Sequence, residues 1–183
     1  MGNGESSYRR FLNNEQYAFD EIVELYFDNL VLFLNRYLND IYAAEDIAID
    51  SFAYILANKY KYNFKVSFKT YLFMIGKSRA LNYIKHKKRI NITSYEENEN
   101  TLCDLRSLEE TVIDKQEKEL LYKALDNLPD SMKPVLHLVY FENMTYAQAA
   151  KVLGKKEKQI DNLIYRAKTI LREKLGKEGE MLL

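Results

Sequence analysis

Apolar residues in this chain recur at steps of three and four over stretches too long for a strand. Phe19, Ile22, Val23, Tyr26, Phe27, Leu30, Phe33, Leu34 and Tyr37 form one such series; Ala44, Ile47, Ala48, Ser51, Phe52, Ile55 and Leu56 form a second. This spacing places each set on one face of an α-helix. Only 2 of the 183 residues are proline and 6 are glycine, so long helices run uninterrupted and a many-turned β-sandwich has too few turn residues. The predicted fold class is therefore all-α.

The periodicity also divides the chain. A third helix is predicted over 67–89, apolar at Phe68, Tyr71, Leu72 and Ile75, then basic at Lys77, Arg79, Lys85, Lys87, Lys88 and Arg89. The Tyr/Lys stretch before it, 59–65, alternates like a strand but has no partner strand nearby and reads as a loop or a helix end. Periodicity disappears over 90–108, and the run from Thr93 to Thr101 is polar and acidic. A structureless stretch of this length is unusual inside one compact domain. Two small helical domains, 1–90 and 108–183, joined by a flexible acidic linker, 91–107, are the simpler account.

Helix resumes near Leu108 and runs to about Leu128. Pro129 and Pro134 then punctuate the chain, with Asp130 or Ser131 as the expected cap of a helix through Val135, Leu138 and Phe141. Thr145-Tyr146-Ala147-Gln148 has the form of a capping box. The short helix it opens ends at Gly154, suited to a left-handed turn. The last helix starts near Lys156 and buries Ile160, Leu163, Ile164, Ala167 and Leu171. A capped short helix, a glycine turn and an amphipathic helix describe a helix-turn-helix.

Lysine plus arginine and aspartate plus glutamate both number 27, but the zero net charge hides a segregation. Residues 1–58 carry net −7, and 59–92 carry ten basic and no acidic side chains. Residues 93–130 return to net −7, and 131–183 to net +4. Two basic blocks separated by acidic ones fit two contacts with a polyanion.

Catalytic patterns are missing from the sequence. There is no glycine-rich phosphate loop, the single cysteine, Cys103, has no histidine near it in sequence, and His86 and His137 stand far apart. His137 lies in an apolar stretch and reads as packing. No cofactor and no metal site is expected. No apolar run approaches the roughly 20 residues that cross a bilayer, and no secretory leader is evident. No membrane insertion is therefore expected, and the expected location is the cytoplasm.

Nucleic-acid features remain. On the last helix, the face opposite the apolar stripe presents Lys158, Asp161, Asn162, Tyr165 and Lys168, side chains that suit base edges in a major groove. Lys155, Lys156, Arg166 and Arg172 suit phosphates. In the first half, Tyr60, Tyr62 and Phe64 interleave with lysines, as in proteins that stack single-stranded bases beside a cationic groove.

Taken in order, these segments resemble an extracytoplasmic-function (ECF) RNA polymerase sigma factor of bacteria. Ala44 to Phe52 is similar to that family's polymerase-binding motif. Phe68 to Ile75, continuing to Arg89, resembles its helix for the minus-ten promoter element. Ala124 to Pro129 opens the second domain as the family does, and Thr145–Gly154 with Ile160–Leu175 resembles its helix-turn-helix for the minus-thirty-five element. The chain departs from the family at Tyr71, where tryptophan is usual, at Ile49, where glutamine is common, and at Ala149 and Asp161.

The resemblance implies a sigma subunit that performs no chemistry, binds core RNA polymerase, directs it to promoters and assists melting. Polymerase contact is expected at Glu45, Asp46, Ile47 and Asp50. Contact with the minus-ten element is expected at Tyr60, Tyr62, Lys65, Lys77, Arg79, Asn82, Lys85, Lys88 and Arg89. Contact with the minus-thirty-five element is expected at Lys155, Lys156, Lys158, Gln159, Asn162 and Arg166. The implied partners are core polymerase, double-stranded and melted promoter DNA, and an anti-sigma factor. The competing reading is a stand-alone helix-turn-helix repressor or activator with an N-terminal dimerisation or sensor domain. The Ala44–Phe52 motif and the acid-free block, which a sensor does not need, favour the first reading.

Overall fold

A computed structural model of the chain describes residues 3–91 and 128–175. Every regular element among them is helical, and the chain divides into two compact units. The N-terminal unit contains α1 (Asn3–Leu12), α2 (Tyr17–Leu38), α3 (Ile41–Ala57) and α4 (Phe68–Asn91). The C-terminal unit contains α5 (Lys133–Leu136), which runs into a π-helical turn (His137–Phe141), then α6 (Tyr146–Leu153) and α7 (Glu157–Leu175). Asn91 closes α4. The rest of the expected linker, Cys103 and the helix expected from Leu108 lie outside the described residues.

In the first unit α2 packs against α1, α3 and α4. Its joint with α3 is two residues long. Asn39 takes the left-handed conformation (φ 48°) and stops α2; Asp40 is extended (φ −152°), and its carboxylate accepts from the Ala43 N–H at 3.1 Å. Such a side-chain cap contributes about 1 kcal/mol. Because Asp40 caps the helix, α3 begins at Ile41. Glu45 and Asp46 therefore sit in its second turn, where the helix dipole has largely faded. Ser67 opens α4 in the same way, its hydroxyl accepting from the Thr70 N–H at 3.2 Å. Gly76 allows α4 to lie close on α2, since a Cβ there would stand 2.9 Å from a Leu30 methyl.

α1 is a helix that the periodicity did not announce. Its Tyr8 is fully buried in an aromatic cluster with Phe11, Tyr62, Phe64 and Phe68. The second core is smaller. Leu128, Met132 and Leu136 meet Ala167 and Leu171 of α7, with Tyr140, Phe141, Leu163 and Ile170 around them. The cap expected from Asp130 or Ser131 is absent. Met132 holds the N-cap position without a side-chain bond, Pro134 occupies the first turn, and Asp130 instead pairs with Lys133 at 3.1 Å. His137 packs as expected, stacked on Phe141 and hydrogen-bonded to Glu142 at 3.2 Å.

The buried phenols give the fold an alkaline limit. Burial pushes the Tyr8 hydroxyl up to about 12, with the nearby Tyr71 adding to it, and raises Tyr37, Tyr62 and Tyr71 as well. The folded state thus holds these protons more tightly than the unfolded chain, in which tyrosine titrates near 10. Their contribution is complete below about pH 10 and is lost as pH rises through the folded values. Phenolate absorbance followed together with circular dichroism should show a late class of tyrosines that ionises with loss of helicity. Titration of all 15 tyrosines as one class near pH 10 would contradict this packing.

Candidate nucleic-acid interface

Three surfaces carry the residues expected from the sequence. On α3 the helix phase turns Ala44, Ile47, Ala48, Ser51, Phe52 and Ile55 inward and leaves Glu45, Asp46 and Asp50 in solvent. Ile47, expected among the contact residues, is only 6% exposed and belongs to the core. Ile49 is 56% exposed, and Tyr42 and Leu56 are exposed on the same side. Leu56 therefore leaves the inward stripe in which the spacing placed it. Tyr42, Ile49 and Leu56 stand at steps of seven, so one apolar ridge runs along α3 beside the three acids. Ile49 was legible in principle, because it is out of phase with the inward stripe.

The second surface combines the loop over 58–67 with the outer side of α4. Tyr60 is 78% exposed, with the Lys59 ammonium 5.2 Å from its ring centroid. Lys65 is also exposed. Tyr62 is not: it is 3% exposed, its hydroxyl donates to the Val66 carbonyl at 2.7 Å, and its ring stacks on Tyr71 at 5.0 Å. No face of that ring is open to a base, so Tyr62 leaves the contact set and becomes part of the loop's anchorage. On α4, Asn82, Lys85 and Arg89 follow steps of three and four on the side opposite the buried Leu72, Phe73, Gly76 and Ala80, and Lys88 and His86 flank them in solvent. Lys77 is half-buried. Arg79 turns toward α3, where it meets Asp50 at 3.9 Å and lies over the Tyr54 ring at 4.9 Å. The structure thus joins a residue expected at polymerase to one expected at DNA.

The third surface is the helix-turn-helix. The capping box is formed reciprocally: Gln148 N–H donates to the Thr145 hydroxyl at 3.2 Å, and Thr145 N–H donates to the Gln148 side-chain oxygen at 2.9 Å. Gly154 takes the left-handed conformation (φ 64°), and Lys155 N–H bonds back to the Ala150 carbonyl at 3.0 Å. A second return contact opens α7, where Lys156 N–H donates to the Gln159 side-chain oxygen at 2.8 Å. Gln159, expected at DNA, is therefore engaged as a cap. Ile160, Ile164, Ala167 and Leu171 face inward, leaving Lys158, Asn162, Tyr165, Arg166 and Thr169 on one exposed face, with Lys155, Lys156 and Asp161 at its edge. Tyr165, expected on this face from the spacing, is 72% exposed near its centre. Lys168 leans away toward the Tyr140 ring, 5.5 Å from its centroid.

None of these surfaces assembles a catalytic group. Among the described residues no cluster of His, Cys, Asp and Glu could hold a metal ion, and no helix is long and apolar enough to cross a membrane. Two helical units, one with an acid-free cationic helix and the other with a helix-turn-helix, define the class of nucleic-acid-binding proteins.

Comparison with known proteins narrows that class. The family model for sigma-70 region 2 matches residues 22–90, and that for sigma-70 region 4 matches residues 118–171. The ECF RNA polymerase sigma factor SigM of Bacillus subtilis is 27% identical over 158 residues, covering 84% of this chain and 92% of that protein. SigW, an ECF sigma factor of the same organism, is 23% identical over 172 residues, covering 88% and 90%. Among solved structures, the sigma factor RpoE in complex with the anti-sigma factor NepR from Bartonella quintana matches with a TM-score of 0.71 at 19% identity, over 87% of this chain and 97% of that one. CnrH in complex with the cytosolic domain of CnrY matches with a TM-score of 0.65 at 18% identity, over 95% and 97%. The chain belongs to the sigma-70 family, as an ECF sigma factor, and is a transcription initiation factor that directs RNA polymerase to specific promoters.

Proposed function

We propose that the three surfaces divide the work of this sigma factor. The outer face of α3 binds core polymerase through Tyr42, Ile49 and Leu56 inside a border of Glu45, Asp46 and Asp50. The loop over 58–67 and the outer side of α4 bind the minus-ten element through Tyr60, Lys65, Asn82, Lys85, Lys88 and Arg89. α7 reads the minus-thirty-five element through Lys158 and Asn162, with Lys155, Lys156 and Arg166 on phosphates. The domain limits are 1–90 and 108–183. The protein acts in the cytoplasm and catalyses no reaction; the polymerase makes RNA.

The observation that carries this reading is the acid-free stretch 59–92, whose exposed side chains form a loop with an open ring beside a cationic helix face. Melting needs that combination. Unstacking a base costs a few kcal/mol, and an exposed ring beside an ammonium offsets about 1–3 kcal/mol of it per captured base. The acidic, partly apolar α3 face would repel DNA and suits a protein partner instead. An anti-sigma factor is a further partner of this chain. Support comes from RpoE and CnrH, whose solved structures are complexes with NepR and CnrY.

Run-off transcription tests the assignment. Core polymerase with this chain should give discrete transcripts from a promoter-bearing template, and core alone should give none. Tight, specific duplex binding by the free chain without transcription would favour a repressor instead.

A further inference from the structure

α1 touches the minus-ten loop at two places. The Tyr8 hydroxyl donates to the Lys59 carbonyl at 2.7 Å, at the start of the loop. The Arg9 guanidinium lies 4.1 Å from the centroid of the Phe64 ring, in its middle. Phe64 is held in the left-handed conformation (φ 59°), which is sterically unfavourable for a non-glycine residue and persists only where its surroundings enforce it. Those surroundings are now visible. The Phe64 ring is 4.5 Å from Tyr62 and 6.3 Å from Tyr8, and the Asn63 side chain accepts from the Lys65 N–H at 3.1 Å. Tyr62 and Phe64 are thereby turned inward, and Tyr60, Asn63 and Lys65 are turned into solvent.

We propose that α1 is a positioning element for strand capture, in which Tyr8 and Arg9 hold the loop over 59–67 in the strained conformation that presents Tyr60, Asn63 and Lys65 to the melted minus-ten strand. The proposal rests on the minus-ten reading given above. A loop released from α1 populates other conformations, and its affinity for the strand falls by the fraction that remains competent. Tyr8 and Arg9 touch no DNA; they act through Lys59 and Phe64. The bland account, in which Tyr8 is core packing alone, predicts loss of stability without a selective effect on strand binding.

The test uses holoenzyme and a single-stranded oligonucleotide with the non-template minus-ten sequence. Tyr8→Phe keeps the ring and removes the bond to Lys59; Arg9→Gln removes the cation over Phe64 from the surface side. Each should weaken oligonucleotide binding about five- to tenfold. Polymerase affinity and the ranking of minus-thirty-five variants should not change. Hydrogen exchange should quicken at the Lys65 amide in the free protein while α2 and α3 keep their protection. Unchanged oligonucleotide binding by both variants, with Tyr60→Ala impaired, would overturn the role of α1 and leave the minus-ten reading standing. If Tyr60→Ala and Lys65→Ala also bind as the parent does, the loop does not capture the strand and both readings fall.

Discussion

Ile49→Arg weakens binding to core polymerase about 10- to 100-fold, the range expected for a central apolar anchor of an interface. The substitution places a cation in the middle of the α3 ridge, between Tyr42 and Leu56, where a partner must otherwise cover the exposed side chain. It leaves stability within about 0.5 kcal/mol, because the position is on the surface. Ile47→Ala, two residues away, does the reverse: it opens a cavity against α3's neighbours and costs about 2–4 kcal/mol of stability. Asp46→Arg changes the border of the same face and acts mainly through association rate and salt dependence. Competition for core polymerase, paired with thermal melts, separates these effects. Parent-like binding by both Ile49→Arg and Asp46→Arg, with helicity intact, would remove polymerase from this face.

Asn162→Ala costs about 1–3 kcal/mol on the preferred promoter and relaxes selection at one base pair, the discrimination expected when a bidentate amide contact is lost. Arg166→Ala weakens all promoters alike and lowers the salt slope by about one ion. The difference follows from position on α7. Lys158 and Asn162 are in its N-terminal half, which enters the major groove in helix-turn-helix proteins, and Arg166 is one turn further along the same exposed ridge. Asp161 at the edge of this ridge repels phosphate, and its natural base partner is the cytosine amino group. Holoenzyme binding across a set of upstream-element variants at several salt concentrations measures both effects. If neither substitution alters promoter ranking or salt slope, α7 is not the reading helix.

Much of the fold was legible because its signals are local. The apolar steps of α2 and α3 follow from helix geometry and need no knowledge of the partner. The Thr145–Gln148 box and the Gly154 turn are legible for the same reason, since each bond spans only a few residues. The second return contact, Gln159 to Lys156, was missed because Lys156 lacks the hydroxyl that marks a capping box. α1 was missed because its ten residues offer few apolar side chains and its anchor is distant: Tyr8 bonds to a carbonyl 51 positions away.

The sequence alone decided that this chain folds as two helical units, and that its cations gather over 59–92 and on the last helix. Helical phase, proline scarcity and charge order survive any tertiary arrangement. Which aromatic or isoleucine faces outward was decided only in three dimensions. Tyr60 and Tyr62 share a composition and an alternating pattern, yet α1 and Tyr71 cover one ring and leave the other in solvent. Ile47 and Ile49 differ in the same way, one against neighbouring helices and one on the open ridge. Burial is set by what packs against a side chain, and for these residues the packing partners come from distant parts of the chain.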